Sequence, residues 1–128
     1  MDFKTTPALL VFLACVAGLG ATAAMADQSA GAAQFVKSCG TCHAAEKDAG
    51  PRQGPNLWKV VGRKAGTQKG FKYSPGFTAG SMGITWDEAN IDRWITNPQA
   101  MIPGVVMMYK QADPEKRKII IDYLKTLH

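Results

Sequence analysis

Cys39-Gly40-Thr41-Cys42-His43 constrains this chain more than any other stretch. Two thiols three positions apart, followed at once by a histidine, form the pattern that attaches a haem covalently. The two sulfurs add to the two vinyl groups on one edge of a porphyrin and become thioethers. The short helical turn between them then brings His43 beneath the iron, where an imidazole nitrogen is a strong axial ligand. Five residues thus supply two covalent anchors and one metal ligand. A chain built this way has to fold around a tethered cofactor.

Other uses of a Cys-x-x-Cys pair fit less well. A thiol-disulfide redox pair needs a strand-helix context that the flanking sequence lacks. A zinc site needs a second pair of ligands. The only other cysteine is Cys15 and the only other histidine is His128. A disulfide across two residues closes a very small loop and stabilises little.

The N-terminus agrees with the motif. Lys4 is followed by an uncharged, mostly apolar run from Pro7 to Ala24, and Ala24-Met25-Ala26 gives a small-x-small pattern before Asp27. Residues 1–26 read as a cleaved secretory signal peptide, with residues 27–128 as the mature domain. Export suits covalent haem attachment, which belongs outside the bacterial cytoplasm. Cys15 lies inside the apolar run and leaves with it. Phe12-Leu13-Ala14 matches a lipoprotein cleavage site poorly. An uncleaved anchor is the alternative, since about 18 apolar residues are borderline for spanning a bilayer.

Removing residues 1–26 from the 128 leaves 102, enough for one small domain. The remaining chain keeps a formal charge of +5. Two ionised haem propionates would lower that to about +3. A moderately basic surface can steer acidic partners. The basic residues are scattered singly and no nucleic-acid motif accompanies them, so nucleic acid is not an expected partner.

Three helices can be read. The first spans about Ser29 to Cys42, with Ser29 as N-cap and Gly31, Phe35 and Cys39 on one face. The second starts at Thr85-Trp86-Asp87-Glu88, which matches a capping box: Thr85 caps and Glu88 reaches back. It carries Ile91, Trp94 and Ile95 on one stripe and ends before Asn97-Pro98. The third starts at Asp113-Pro114-Glu115, a cap followed by proline and an acid in the first turn. Ile120, Tyr123, Leu124 and Leu127 form its apolar face. Residues 44–84 differ. They hold eight glycines and three prolines, with one short helical hint at Asn56 to Val61. A loop this long needs a functional reason. A buried haem is such a reason, because Leu57, Trp58, Val61, Phe71 and Tyr73 can then pack on porphyrin instead of on each other.

Taken together, these residues resemble class I cytochrome c over essentially the whole of residues 27–128. The matching motifs run in order: Gly31 and Phe35, Cys39 to His43, Gly54-Pro55-Asn56-Leu57, Gly62-Arg63-Lys64, Gly83-Ile84-Thr85-Trp86, Asn97-Pro98, Ile102-Pro103-Gly104-Val105-Val106-Met107, and Tyr123-Leu124. The resemblance implies an all-α fold of three main helices plus short helices and long glycine-rich loops wrapped around one covalent haem. It also implies the second axial ligand. Met82, Met101, Met107 and Met108 all survive signal cleavage, and composition cannot choose among them. The family's Pro-Gly-x-x-Met pattern falls on Met107.

Roles for neighbouring residues follow from the same resemblance. The Pro55 carbonyl accepts the ring N–H of His43 and fixes its orientation. Tyr73 and Trp86 match positions that hydrogen-bond a haem propionate, and Arg63 matches a basic residue near the same group. Trp94 stands where many relatives have a tyrosine near the methionine sulfur; an indole donates but never accepts. Gly31 and Phe35 against Ile120 and Tyr123 match the family's crossing of first and last helices. The chain departs from the family pattern in the methionine loop, which has no charge from Gln99 until Lys110. Val105 also replaces a common threonine. Arg52 and Lys37 remain as possible docking charges.

The expected function is a periplasmic single-electron carrier with one haem c per chain and His43/Met107 ligation, not an enzyme. Its partners would be redox complexes such as a bc-type complex, a terminal oxidase or a dehydrogenase. The mature chain would be a monomer without stable membrane insertion. A haem enzyme or gas sensor would need Met107 absent or labile. A thiol oxidoreductase would carry no chromophore. A helical binding module leaves the glycine-rich middle unexplained.

Overall fold

The computed structural model describes residues 19–128, with side chains from Met25 onward. Residues 1–18 lie outside it, Cys15 and most of the expected signal segment among them. The described helices are α1 (Leu19–Ser38), α2 (Pro75–Gly80), α3 (Glu88–Thr96), α4 (Pro98–Met101) and α5 (Pro114–Lys125). Between them the only extended pairing among the described residues is an isolated antiparallel bridge, Lys64 with Thr85. No described helix is long and apolar enough to cross a membrane.

The first helix begins earlier than its expected cap. Ser29 lies inside α1, and its hydroxyl donates to the Ala26 carbonyl at 2.8 Å. A serine bonded back along the helix does not cap. The alanine-rich run around it is a strong helix former, so the helix continues through it. At the other end α1 stops at Ser38. Cys39 to Cys42 follow as a turn.

The second expected start also moves. Trp86 N–H donates to the Arg63 carbonyl at 2.9 Å, and Gly62 N–H to the Trp86 carbonyl at 2.8 Å. This pairing holds Thr85 and Trp86 extended, so Thr85 cannot cap. Asp87 caps instead, accepting from Asn90 N–H at 2.7 Å. Glu88 turns outward and pairs with Lys125 at 2.8 Å. The third start matches its expectation, with Asp113 capping and Pro114 opening the helix.

The middle of the chain holds the remaining differences. Asn56 to Val61 forms turns, not a helix. Lys59 sits in the left-handed region, with φ of 54°, which interrupts any helix there. Helix α2 was not foreseen. Its signal is Ser74-Pro75, a capping serine followed by proline at the first helical position.

Helix α1 crosses α5 at Gly31. A Cβ there would lie 2.7 Å from Tyr123 Cβ and 3.2 Å from the Ile119 carbonyl. Only glycine allows this approach, and Phe35 then packs on Tyr123 with ring centroids 5.3 Å apart. Helix α3 lies along α5. Their inner faces meet through Ile91, Ile95, Ile120, Ile121 and Leu124, all buried. Their outer edges are joined by Lys125–Glu88 and by Arg117–Asp92 at 2.7 Å. Arg117 also donates to the carbonyls of Gln111 and Ala112, which ties down the segment entering α5.

The α5 cap gives a pH test. The backbone N–H of Lys116, helped by that of Glu115 and by the Lys116 ammonium, holds the Asp113 carboxyl below its ordinary range. Stabilisation from a depressed carboxyl is complete above its unfolded-state pKa and is lost as pH falls through the lower folded-state value. Asp113→Ala should therefore lower the thermal midpoint at neutral pH. The gap to wild type should close at strongly acidic pH, as read by circular dichroism melts.

Candidate haem site

The end of α1 aims the Cys39–His43 turn into the interior. Cys39 N–H donates to the Phe35 carbonyl at 2.7 Å, and His43 N–H to the Cys39 carbonyl at 2.9 Å. A second segment is pinned against this turn: Gly54 N–H donates to the Cys42 carbonyl and Leu57 N–H to the Ala44 carbonyl, each at 2.8 Å. That pairing brings the Pro55 carbonyl 2.8 Å from His43 Nδ1. With Nδ1 donating to Pro55, Nε2 is the nitrogen left with a free lone pair. Burial lowers the His43 pKa, and the Pro55 contact opposes this only in part. Burial thus favours the neutral ring, the form that ligates a metal.

Gly54 makes room for that ring. A Cβ on Gly54 would lie 2.3 Å from His43 Cε1 and 2.7 Å from Nδ1. Asn56, buried beside it, holds the surrounding loop. Its Nδ2 donates to the carbonyls of Glu46 at 2.8 Å and Ala49 at 2.7 Å, while Oδ1 accepts from Trp58 N–H at 2.7 Å.

Cys39, Cys42 and His43 all face a cavity of about 850 Å³. Pro55, Arg63, Tyr73, Trp86 and Met107 line the same cavity, so every site residue proposed from the sequence meets there. Most of its wall is apolar, with Leu57, Val60, Phe77, Ile95, Val105 and Leu124 among the contributors. Rings Phe71, Tyr73, Phe77, Trp94 and Trp86 form a continuous series with centroids 4.9 to 5.6 Å apart.

One edge is polar. Arg63 donates to the carbonyls of Trp58 at 3.1 Å and Asn56 at 3.0 Å, and also to Gln68 Oε1. The Tyr73 hydroxyl accepts from Gln68 N–H at 3.2 Å. Gln68 thus links the arginine and the tyrosine, a role its sequence context did not signal. Arg52 is less free than a docking charge would be, because its guanidinium donates to the Gly40 carbonyl.

The four methionines separate by position. Met107 lines the cavity and is half-buried against the core. Met108 also reaches the cavity rim but is 71% exposed. Met82 is 78% exposed. Met101 packs on the core and does not line the cavity.

The donor set and the void together fit a covalently held haem. Folded interiors tolerate few voids larger than a water molecule. A void of this size, walled by apolar side chains, is the space of a bound group near the upper end of small-molecule sites, roughly 300–1,000 Å³. The two thiols are free in this chain. Burial, and then the neighbouring Cys42, push the Cys39 thiol up to about 11, which makes it a poor thiolate for disulfide exchange. All of this fits one protein class, the small helical haem proteins.

Comparison with known proteins agrees. No protein-family model matches the sequence. Cytochrome c-550 of Novispirillum itersonii is 38% identical over 104 residues, covering 74% of this chain and 94% of that protein. Cytochrome c2 of Rhodopseudomonas palustris is 38% identical, covering 93% and 96% respectively. The solved structure of cytochrome c2 from Rhodospirillum centenum superposes with a TM-score of 0.73 at 32% identity, over 79% of this chain and 98% of that one. The chain belongs to the class I cytochrome c family, electron-transfer proteins that carry one covalent haem c.

Gly54 gives the test of this geometry. Gly54→Ala should push His43 off its seat and destabilise the haem-loaded protein by about 1–3 kcal/mol. Gly50→Ala meets no atom within 4 Å and should be near neutral. Guanidinium unfolding followed by haem absorbance compares the two.

Proposed function

We propose that this chain is a periplasmic single-electron carrier whose haem is bound by Cys39 and Cys42 and ligated by His43 and Met107. The observation that carries the reading is one apolar cavity shared by both thiols, the His43 imidazole and the half-buried methionine. When bound, the haem supplies an iron that cycles between ferric and ferrous. The chain's own residues do the rest. Cys39 and Cys42 anchor the group on a rigid turn. The Pro55 carbonyl keeps His43 in one tautomer and one orientation. Met107 offers a soft thioether, which favours ferrous iron and raises the reduction potential. The apolar wall excludes water. Arg63, Tyr73 and Trp86 supply donors to the propionates at the polar edge. No proton transfer and no substrate atom enter this scheme.

Export is part of the proposal. Residues 1–26 are removed as a secretory signal, leaving residues 27–128 as the domain. Donors and acceptors are redox complexes, of the kinds represented by a bc-type complex, a terminal oxidase or a dehydrogenase.

The test is the optical spectrum of protein from the periplasmic fraction, its N-terminus checked by mass. Haem should survive acid-acetone extraction. The ferric form should show the weak far-red band of sulfur bound to iron. Met107→Leu should abolish that band and lower the potential, while Met108→Leu should leave both intact. Loss of the band in Met108→Leu alone would reassign the ligand.

Docking follows from the loop around Met107. Val106 is 78% exposed and, with Met108, makes the methionine side of the cavity rim uncharged, whereas Lys72 lines the cavity elsewhere. Association with a redox partner should therefore depend weakly on ionic strength, the signature of surface burial and not of ion pairs. Stopped-flow electron-transfer rates across a salt series measure it. A steep fall with salt would overturn the apolar docking face.

A further inference from the structure

The backbone of Gly104 to Met108 makes few connections to the rest of the fold. Pro103, Gly104, Val106 and Met108 are exposed. Among the described residues, the hydrogen bonds of this stretch run to one side chain, Gln99.

Gln99 spends both ends of its carboxamide on the loop. Oε1 accepts from Gly104 N–H at 3.2 Å. Nε2 donates to the Val105 carbonyl, and lies 3.4 Å from the Met107 carbonyl and 3.6 Å from Met108 Sδ. Its two N–H hydrogens are therefore shared among three acceptors. The base of the side chain is firmly held. Gln99 sits in α4, where Pro98 is fully buried and Asn97 caps by accepting from Ala100 N–H. On the far side of the loop, Gln111 N–H donates to the Ile95 carbonyl at 2.8 Å. Between these two fixed points, the stretch from Gly104 to Met108 has the Gln99 amide as its only polar tie among the described residues.

We infer that Gln99 is a positioning residue, a latch that holds the Met107 loop shut over the cavity and sets how often Met107 leaves its place. This rests on the reading of Met107 as the iron ligand. A charged lysine-type side chain could donate to the carbonyls but could not accept from Gly104. The neutral amide does both, and it does so where the loop carries no charge of its own. Because the loop is mostly exposed, water can take over the freed carbonyls when the amide is removed, so the fold survives its loss.

The probe is imidazole, added to the ferric protein and followed by absorbance. It binds only when Met107 has left, so its apparent affinity scales with the open fraction. Gln99→Ala should tighten imidazole binding by about fivefold to tenfold, the worth of one hydrogen bond. Gln99→Glu keeps the acceptor for Gly104 but sets a carboxylate against carbonyl oxygens, so it should loosen the loop at least as much. Amide hydrogen exchange should speed up at Gly104 in both variants and stay unchanged at Gln111. An intact far-red band in wild type, with unchanged imidazole affinity and Gly104 exchange in both variants, overturns the latch alone. Exchange that quickens equally at Gly104 and Gln111 also overturns it, since that is general destabilisation. A wild-type protein without the band overturns the Met107 reading, and the latch with it.

Discussion

An apolar void of about 850 Å³ at the centre of a small helical domain is the constraint on which the rest of this protein depends. Side chains that would ordinarily pack on one another are instead spread around a space wide enough for a flat cofactor. Leu57, Phe77, Trp94 and Leu124 reach it from four parts of the chain. Such a core has little reason to hold together without its occupant, because a dry void forfeits the dispersion contacts of everything that lines it. A covalently tethered occupant is as permanent as a side chain, and Cys39 and Cys42 are the anchors proposed for it. The glycine-rich middle then has no need of a core of its own.

The helices act as a frame for that space. The α1–α5 crossing at Gly31 fixes the direction in which α1 delivers the cysteine turn. The α3–α5 contact, with its buried isoleucines, forms another wall and carries Trp94 to the cavity. Of the ion pairs on the outside of that contact, Lys125–Glu88 is exposed on both sides and contributes little, whereas the Arg117 side of Arg117–Asp92 is part-buried. The buried faces hold the frame. Arg117 is an exception in function, since it also fixes the return segment that follows the Met107 loop.

Polarity around the cavity is uneven, and the unevenness is useful. Arg63, Gln68 and Tyr73 gather donors and acceptors at one edge, joined by backbone carbonyls that keep the guanidinium in place. The methionine side is neutral and apolar at its rim. An electron carrier works with small reorganisation when its ligands are held rigidly and water is kept out. Here the histidine side is held by paired backbone and a carbonyl, whereas the described hydrogen bonds of Gly104 to Met108 all run to Gln99 and the rest of the hold is the packing of Val105 and Met107. The two sides of the cavity therefore differ in how their backbone is hydrogen-bonded.

Much of this was legible from residue order, because the informative features are local. The Cys39–His43 turn, the Asp113-Pro114 start and the Gly54-Pro55 segment carry their meaning within a few residues. Thr85 and Ser29 misled for the same reason in reverse. Thr85 reads as a cap until the pairing of Arg63 with Trp86 draws it into extended backbone, and Ser29 reads as a cap until its hydroxyl bonds back to Ala26. Helix α2 carried its cap in Ser74-Pro75, but the surrounding glycines masked it. What the sequence by itself determined was the class of chemistry, since two thiols and a histidine at fixed spacing can be satisfied by very few cofactors. Only the tertiary structure decided which methionine shares the cavity half-buried, why Gly54 must be glycine, and what Gln99 touches. Those depend on approach between segments distant along the chain, and no local pattern encodes that distance.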